Sequence, residues 1–211
     1  MTTRDHWEKA YAEKAPDQVS WYRPHLDHSL AVIERVVPDR GAAIVDIGGG
    51  ASTLVDDLLA RGYSNVTVLD VSPMALAQAQ ARLGRLAGSV SWLEGDITTV
   101  ELPPATFAFW HDRAVFHFLR EEADRTRYVA TLRRSVPDGG HVLIGTFGPE
   151  GPERCSGLEV VRYTVERLGA QFGDGFEEVD RQTETHVTPL GRTQQFVYWH
   201  ARRAPPVGDR R

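Results

Sequence analysis

The sequence predicts a three-layer α/β fold in which five parallel strands carry an antiparallel pair at one edge. Short apolar segments alternate along the chain with segments of helical spacing, which is typical of a parallel sheet covered by helices on both faces. The first apolar segment, Ile44–Ile47, runs directly into three glycines and then into a helical segment. The last two apolar segments are separated only by a Pro-Leu-Gly-Arg turn, which indicates an antiparallel pair.

The elements follow from local patterns taken in chain order. Apolar residues three and four apart predict helices over residues 5–14, 26–37, 54–61, 73–83, 121–136 and 164–171. Pro38, Gly62 and Gly84 end the helices that begin at residues 26, 54 and 73. Ser72 can cap the start of the last of these three. The intervening apolar runs predict strands over residues 44–47, 66–70, 90–93, 107–111, 141–147, 176–188 and 193–201.

The composition is that of one globular domain. The chain has 211 residues, of which 41% are hydrophobic and 25% charged, with a net charge of -5. We expect a single domain over residues 1–201 and a disordered tail over 202–211, where two prolines and four arginines occur. Because the net charge is negative and no basic cluster occurs, a nucleic-acid partner is not expected.

Cysteine content and the distribution of apolar residues bear on location. A single cysteine fits a reducing compartment. No apolar run has the length of a signal peptide core or of a membrane span. We therefore expect a cytoplasmic protein, monomeric or homodimeric, without a membrane partner.

The glycine turn at residues 48–50 is the first candidate ligand site. Glycines there would let a ligand approach the backbone. A dinucleotide fingerprint needs a third small residue where this chain has Thr53, so the pattern indicates a nucleotide-like ligand without a pyrophosphate. Asp46 lies near the end of a strand that should otherwise be apolar, and it therefore needs a polar partner or solvent.

Two further acids follow the next two strands. Asp70 ends the second strand about 20 residues beyond the glycines, where a carboxylate can reach ribose hydroxyls. Asp96 follows the third strand, in the segment Glu-Gly-Asp-Ile. The two acids and the glycine turn occur in the order that a nucleoside site at one sheet edge requires.

In these three motifs the chain resembles the class I S-adenosylmethionine-dependent methyltransferases. V-D-I-G-G-G (45–50) is similar to their first motif, L-D-V-S (69–72) to their ribose-binding acid, and G-D-I (95–97) to their adenine-flanking pair. The resemblance extends over residues 5–202. It implies a Rossmann-like, mostly parallel seven-stranded sheet with an antiparallel C-terminal strand pair. The alternative is a Rossmann domain that binds a nicotinamide or flavin cofactor.

The resemblance also implies S-adenosylmethionine as cofactor and S-adenosylhomocysteine as product. It assigns the methionine part to the glycine turn, the ammonium to two aspartates, the ribose to Asp70, and the adenine to the residues around Asp96. The cofactor-binding residues so implied are Tyr11, Trp21, Asp46, Gly48, Gly49, Gly50, Asp70, Val71, Asp96, Ile97 and Asp112.

The aromatic segment at the start of the chain carries a narrower resemblance. Its W-x-x-x-Y…W-Y pattern is similar to that of thiopurine-methyltransferase-like enzymes and of some lysine methyltransferases. This implies that residues 5–24 form a lid, with Tyr11 and Trp21 at the cofactor. The alternative is that these rings, Trp7 included, only cover the sheet edge.

The candidate catalytic residues are Asp112, His117 and Cys155. Asp112 is expected in the crevice at the end of the fourth strand, and His117 could return to it as a general base. Cys155 is either an acceptor ligand or a small apolar residue. His111 and His186 are further base candidates, each with a structural role as the alternative.

Two spacing arguments narrow the chemistry. His111 and Asp112 are neighbours on a strand, so their side chains point to opposite faces and cannot form a His–Asp pair. Zinc-type spacing of Cys and His is absent, so no metal is expected. The fourth strand also lacks the N-P-P-Y or D-P-P-Y signature of enzymes that methylate amino groups of nucleic acids.

Our interpretation is an enzyme that methylates a heteroatom (S, N or O) of a small molecule. The aromatic lead-in suggests a protein-lysine methyltransferase as the alternative. A non-catalytic module that binds S-adenosylmethionine, such as a sensor or partner subunit, is the third possibility. A compact chain with its own lid favours the small-molecule acceptor.

Overall fold

The computed structural model describes residues 3–13 and 16–205. Its helices are α1 (Thr3–Glu13), α2 (Asp27–Val36), α3 (Leu54–Ala60), α4 (Pro73–Leu83), α5 (Glu122–Ser135) and α6 (Val165–Gly169). Its strands are β1 (Ile44–Ile47), β2 (Val66–Asp70), β3 (Val90–Glu94), β4 (Phe109–Arg113), β5 (His141–Phe147), β6 (Arg154–Cys155), β7 (Leu158–Glu159), β8 (Phe176–Val187) and β9 (Thr193–Arg203).

Seven of these strands form one sheet in the order β3-β2-β1-β4-β5-β9-β8. The first five strands of the chain pair in parallel, and β9 is antiparallel to both β5 and β8. The predicted Rossmann-like sheet with an antiparallel C-terminal pair is therefore confirmed. In such a sheet, ligands bind beyond the carboxyl ends of the parallel strands.

Helices cover both faces of the sheet because successive strand residues point to opposite sides. Ile44 belongs to the apolar cluster formed with α2, α3 and α4. Val45 and Ile47 belong to the cluster formed with α5 and α6. All residues of β1 are buried, Asp46 included, so this strand lies at the centre of the three layers.

The helix ends have the predicted local causes. The Ser72 hydroxyl accepts a hydrogen bond from the Ala75 backbone N–H at 3.1 Å, with Pro73 at the first helical position. The Thr164 hydroxyl caps α6 in the same way, accepting from the Arg167 N–H at 3.3 Å.

Strand β4 begins and ends two residues later than predicted. The backbone N–H groups of Thr106 and Phe107 donate to the Ser135 carbonyl, at 2.8 and 3.0 Å, and so tie this segment to the end of α5 instead of to the sheet. The sheet begins at Phe109, whose N–H donates to the Ala43 carbonyl at 3.3 Å. The shift brings Arg113 into the strand as its last residue.

Two other predicted boundaries are corrected. The loop after β5 contains a short antiparallel hairpin, β6–β7, that the sequence did not reveal. Strand β9 continues through Arg203, because Arg203 exchanges backbone hydrogen bonds with Gly139 and Gly140 at 2.8 Å. The predicted tail therefore cannot start at residue 202, and its residues 206–211 lie outside the described residues.

The N-terminal segment predicted to be a lid (residues 5–13 and 16–24, called the lid below) is attached to the start of α4. The Glu8 carboxylate accepts hydrogen bonds from the Ser72 hydroxyl and, at 3.1 Å, from the Met74 N–H. The Gln78 amide donates to the Tyr11 carbonyl at 2.9 Å. These bonds place the lid beside the carboxyl end of β2. No helix among the described residues is long and apolar enough to cross a bilayer.

Candidate cofactor and acceptor site

Two adjoining cavities lie at the carboxyl ends of the parallel strands. The larger, of about 210 Å³, is partly open and is bordered by the lid, the ends of β2 and β3, and the segment after β4. The smaller, of about 40 Å³, lies over the glycine turn. Both cavities are lined by Tyr11, Trp21, Gly48 and Arg113, so they meet at these residues.

Most of the predicted cofactor-binding residues come together here. The larger cavity is lined by Tyr11, Trp21, Gly48, Asp70, Val71, Asp96 and Ile97. Asp46 and Gly49 line the smaller one. Gly50 and Asp112 line neither cavity.

The three glycines are required by the protein's own side chains. Gly48 has φ +66°, and a Cβ there would overlap the side chain of Val115. A Cβ on Gly49 would lie 2.5 Å from Asp46 Oδ2, and one on Gly50 would overlap the Asp70 carboxylate. The turn therefore lets both carboxylates lie against the backbone, a role distinct from the predicted approach of a ligand.

Asp46 is held by His111 from the neighbouring strand. The parallel register pairs the two residues, and the His111 Nδ1–H donates to Asp46 Oδ1 at 2.6 Å. The Ser29 hydroxyl of α2 lies 2.9 Å from His111 Nε2. All three residues are at most 2% exposed. Asp46 Oδ2 has no hydrogen-bond partner among the described residues, so this buried oxygen is available to a ligand that donates.

Asp70 is a buried carboxylate with an unusual proton affinity. It is 6% exposed, and Oδ1 accepts from the Ser72 N–H at 2.9 Å. Burial raises its pKa to about 7, and the charge of Asp46 adds to the increase. A cationic ligand with hydroxyl groups would favour the ionised form, which fits the ribose and sulfonium of the implied cofactor.

Asp96 is exposed, in contrast to Asp70. Its Oδ1 accepts from the Thr98 N–H at 2.8 Å and from the Thr98 hydroxyl at 2.7 Å. The adjacent Ile97 is 5% exposed and lines the larger cavity. A carboxylate next to an apolar side chain fits one edge and one face of an adenine ring.

The lid contributes a cluster of aromatic rings to the larger cavity. The ring centroid of Trp7 lies 5.7 Å from that of Trp21 and 5.1 Å from that of Phe118. The Tyr11 and Trp21 centroids are 6.2 Å apart. Burial, together with the charge of Asp70, raises the pKa of Tyr11 well above its usual value, so its hydroxyl stays protonated. These rings, Trp7 included, line the cavity itself.

Asp112 does not lie where the sequence analysis expected it. It is fully buried on the α5 side of the sheet, and its Oδ2 accepts from the Tyr128 hydroxyl at 2.6 Å. Its Oδ1 accepts from the Val115 N–H at 2.9 Å. Burial raises its pKa to about 6. Asp112 therefore stabilises the turn after β4 and has no access to a cofactor or acceptor.

Of the three histidines considered as a base, His111 lines the smaller cavity, whereas His117 and His186 line neither. His117 is fully buried, and its Nδ1 accepts from the Phe147 N–H at 3.2 Å. Burial, and then the charge of Arg113, lowers its pKa to about 3, so the ring stays neutral. The His186 Nε2–H donates to the Ser20 carbonyl at 2.7 Å. Both rings therefore have structural roles.

Cys155 remains at the site. It is 3% exposed, belongs to the β6–β7 hairpin, and lines the larger cavity. It shares this cavity with Asp70 and Asp96, and its part in acceptor binding stays a prediction. Within the described residues, no group of three or more His, Cys, Asp or Glu side chains could hold a metal ion.

Arg113 is the main site residue to which the sequence analysis gave no role. It lines both cavities, whereas the prediction placed it just beyond β4, in a stretch near the crevice, without a function of its own. The signal was available in the strand alternation: Arg113 shares a face with His111 and points away from the face of Asp112. That face carries the glycine turn and Asp46.

The comparisons with known proteins agree with this geometry. Residues 44–140 match the family model described as a methyltransferase domain. The chain is 28% identical over 145 residues to the mouse eEF1A lysine and N-terminal methyltransferase, covering 66% of this chain and 20% of the mouse protein. The chain thus spans about a fifth of the length of that relative.

Two solved structures show the same fold over nearly the whole chain. One, from a study of the conversion of a disulfide bond into a thioacetal group during echinomycin biosynthesis, has a TM-score of 0.77 at 16% identity, covering 96% of this chain and 93% of the other. The other is the Burkholderia thailandensis 1,6-didemethyltoxoflavin-N1-methyltransferase, with a TM-score of 0.66 at 19% identity and coverage of 96% and 84%. It contains 1,6-didemethyltoxoflavin and S-adenosylhomocysteine.

The strand order of the sheet, the acids at its carboxyl edge and the match of residues 44–140 to a methyltransferase-domain model all agree with the resemblance to class I S-adenosylmethionine-dependent methyltransferases.

Proposed function

We propose that the chain is an S-adenosylmethionine-dependent methyltransferase that binds its cofactor across the two cavities and methylates a heteroatom of a small molecule. The observation that carries the proposal is the larger cavity, lined by Trp7, Trp21 and Phe118 and by Asp70 and Asp96. A cavity of about 210 Å³ bordered by the chain's own aromatic rings suits a nucleoside and a compact acceptor.

The residues of the two cavities divide between the parts of the cofactor. Asp70 would accept hydrogen bonds from the ribose hydroxyls, and Asp96 with Ile97 and Val71 would hold the adenine. In the smaller cavity, the unpartnered Oδ2 of Asp46 would accept a hydrogen bond from the methionine ammonium. His111 fixes Asp46 by its 2.6 Å bond to Oδ1, so that Oδ2 keeps one orientation.

When bound, S-adenosylmethionine supplies a methyl group that is transferred by in-line displacement from its sulfonium. The chain's residues would orient the two reactants and exclude water from them. The aromatic lid would keep water out, and Arg113 and Cys155 line the larger cavity, where we place the acceptor. None of the described residues lining that cavity is a histidine. We therefore propose that the acceptor offers a lone pair at neutral pH, as a thiolate or an uncharged nitrogen does.

A protein-lysine acceptor is the second candidate. Two observations favour it: the likeness to the mouse eEF1A lysine and N-terminal methyltransferase and the aromatic lead-in shared with some lysine methyltransferases. The same lead-in supports the proposed kinship with thiopurine-methyltransferase-like enzymes, which act on small molecules. The small size of the cavity and the aromatic rings that border it are the reasons for placing the small-molecule proposal first.

Two measurements test the proposal. Isothermal titration calorimetry with S-adenosylmethionine, S-adenosylhomocysteine and NAD should show binding of the first two only. Incubation with methyl-labelled S-adenosylmethionine, with either a metabolite fraction or a protein extract, should label compounds of low molecular mass. Label confined to a protein band would favour the lysine acceptor, and cofactor binding without any transfer would favour a non-catalytic module.

A further inference from the structure

We infer that Arg113 forms an anion-binding subsite, and that the methyl acceptor carries a carboxylate or a similar anionic group beside the atom that is methylated. The inference rests on the proposed function, since it names the substrate class of the same site. It depends on the position, the contacts and the unbalanced charge of this one side chain.

Arg113 lies where the cofactor part and the acceptor part of the site should meet. As the last residue of β4, it lines the smaller cavity over the glycine turn and the larger cavity with Cys155 and Phe118. Among the described residues that line the larger cavity, Arg113 is the only lysine or arginine. A group bound to it would therefore lie next to the transferred methyl group.

The guanidinium is held by neutral partners. Its Nε–H donates to the Tyr198 hydroxyl at 2.9 Å, and its Nη1 donates to the Trp21 carbonyl at 2.9 Å. Its central carbon lies 4.2 Å from the centroid of the Phe196 ring. These contacts fix the plane of the guanidinium. They do not involve Nη2, which is buried and has no hydrogen-bond partner in the described part of the chain.

The charge of Arg113 is not balanced by an acid. Arg23, the other arginine at the smaller cavity, forms an ion pair with Glu184, whereas the contacts found for Arg113 are all uncharged. A partly buried positive charge without a neighbouring carboxylate lowers the stability of the folded protein. A ligand that brings an anionic group would remove this cost. The same positive charge contributes, after burial, to the lowered pKa of both His117 and His186.

The arrangement of charge separates two halves of the site. Asp46 and Asp70 lie on the side proposed for the ammonium, sulfonium and ribose, which carry positive charge or hydroxyl donors. Arg113 lines both cavities and therefore lies where the two meet. Its unpartnered Nη2 carries two N–H donors, which can form charge-assisted hydrogen bonds to a carboxylate.

Calorimetry with a matched pair of probes tests this. Protein saturated with S-adenosylhomocysteine is titrated with benzoate and with benzyl alcohol, which has a similar size and no charge. We expect wild-type protein to bind benzoate at least about tenfold more tightly, since a charge-assisted hydrogen bond is about twice as strong as a neutral one. Arg113→Gln should abolish the preference, and Arg113→Lys should keep part of it because the charge remains without the planar fork.

The control variant is Arg181→Ala, because Arg181 is an exposed arginine paired with Glu178 and Glu166. It should keep the full preference for benzoate. Melting temperatures of the Arg113 variants show whether each is folded, and Arg113→Lys provides a charged variant if Arg113→Gln is not. No preference in the wild-type protein, or an undiminished preference in Arg113→Gln, would overturn the inference.

A second pair of probes distinguishes the acceptor's anion from the cofactor's own carboxylate. S-adenosylhomocysteine carries that carboxylate, whereas 5′-methylthioadenosine lacks it. If Arg113→Gln weakens binding of S-adenosylhomocysteine and leaves 5′-methylthioadenosine unchanged, Arg113 serves the cofactor and the acceptor inference is overturned. If wild-type protein binds neither, the proposed function fails, and the benzoate preference is measured on the ligand-free protein as an independent result.

Discussion

Replacing Asp70 with asparagine should stabilise the ligand-free protein at pH 8 while weakening the cofactor site. The side chain is 6% exposed, and burial is the main cause that raises its pKa from 3.8 to about 7. Asparagine has the same shape and can still accept the hydrogen bond from the Ser72 N–H, now 2.9 Å from Asp70 Oδ1. The substitution therefore removes the buried charge with little change in packing.

The direction in which stability changes with pH follows from proton linkage. Between pH 4 and pH 7 the folded protein keeps a proton on Asp70 that the unfolded chain releases, so stability falls as the pH rises through this window and levels off above it. One pKa unit corresponds to about 1.4 kcal/mol. Burying the ionised Asp70 carboxylate therefore lowers the free energy of unfolding by about 4 kcal/mol at most. Of this loss, about 3 kcal/mol develops between pH 5 and pH 8.

The assay is urea unfolding of wild-type protein and of Asp70→Asn at pH 5 and pH 8, without cofactor. The stability advantage of the variant should be larger at pH 8, by up to about 3 kcal/mol. Asp96→Asn is the matched control: Asp96 lines the same cavity but is exposed, so water already solvates its charge and no comparable gain is expected. An Asp70→Asn variant that is less stable than wild type by the same amount at both pH values would refute the reasoning.

Three further predictions concern the same residues and their neighbours. The affinity of wild-type protein for S-adenosylmethionine should rise from pH 6 to pH 8, because ionised Asp70 accepts hydrogen bonds from both ribose hydroxyls; calorimetry showing a flat profile would contradict this. His111→Ala should weaken cofactor binding about tenfold, because Asp46 loses its 2.6 Å hydrogen bond and the loss of one bond to a charged group has about this effect. Unchanged affinity in a folded variant would show that His111 does not position Asp46. His117→Ala should lower the melting temperature and leave kcat/KM of the folded enzyme unchanged, since the ring packs 4.7 Å from Phe147 and lines neither cavity. A fall in rate of about a hundredfold, the effect of losing a general base, would instead show that His117 is the base.

The order of the elements and the positions of the cofactor acids could be predicted from the sequence because both depend on local patterns. Asp70 ends a short apolar run and Asp96 follows one, and in a parallel sheet all such ends meet at one edge. Glycine at position 48 is likewise a local requirement, since its φ is +66°. The partners of Asp46 and the roles of Asp112 and Arg113 depended on the tertiary structure.

The reason is that the alternation along a strand gives two faces without saying which face meets the ligand. The sequence alone determined that His111 and Asp112 point apart. Only the pairing of β1 with β4 brought His111 to Asp46, and only the packing of α5 enclosed Asp112 with Tyr128. The two-residue delay of β4, caused by the bonds of residues 106 and 107 to the end of α5, brought Arg113 to the strand end and into the site. Contacts of this kind join residues far apart in the chain, as Ser29 and His111 are, so no local pattern encodes them.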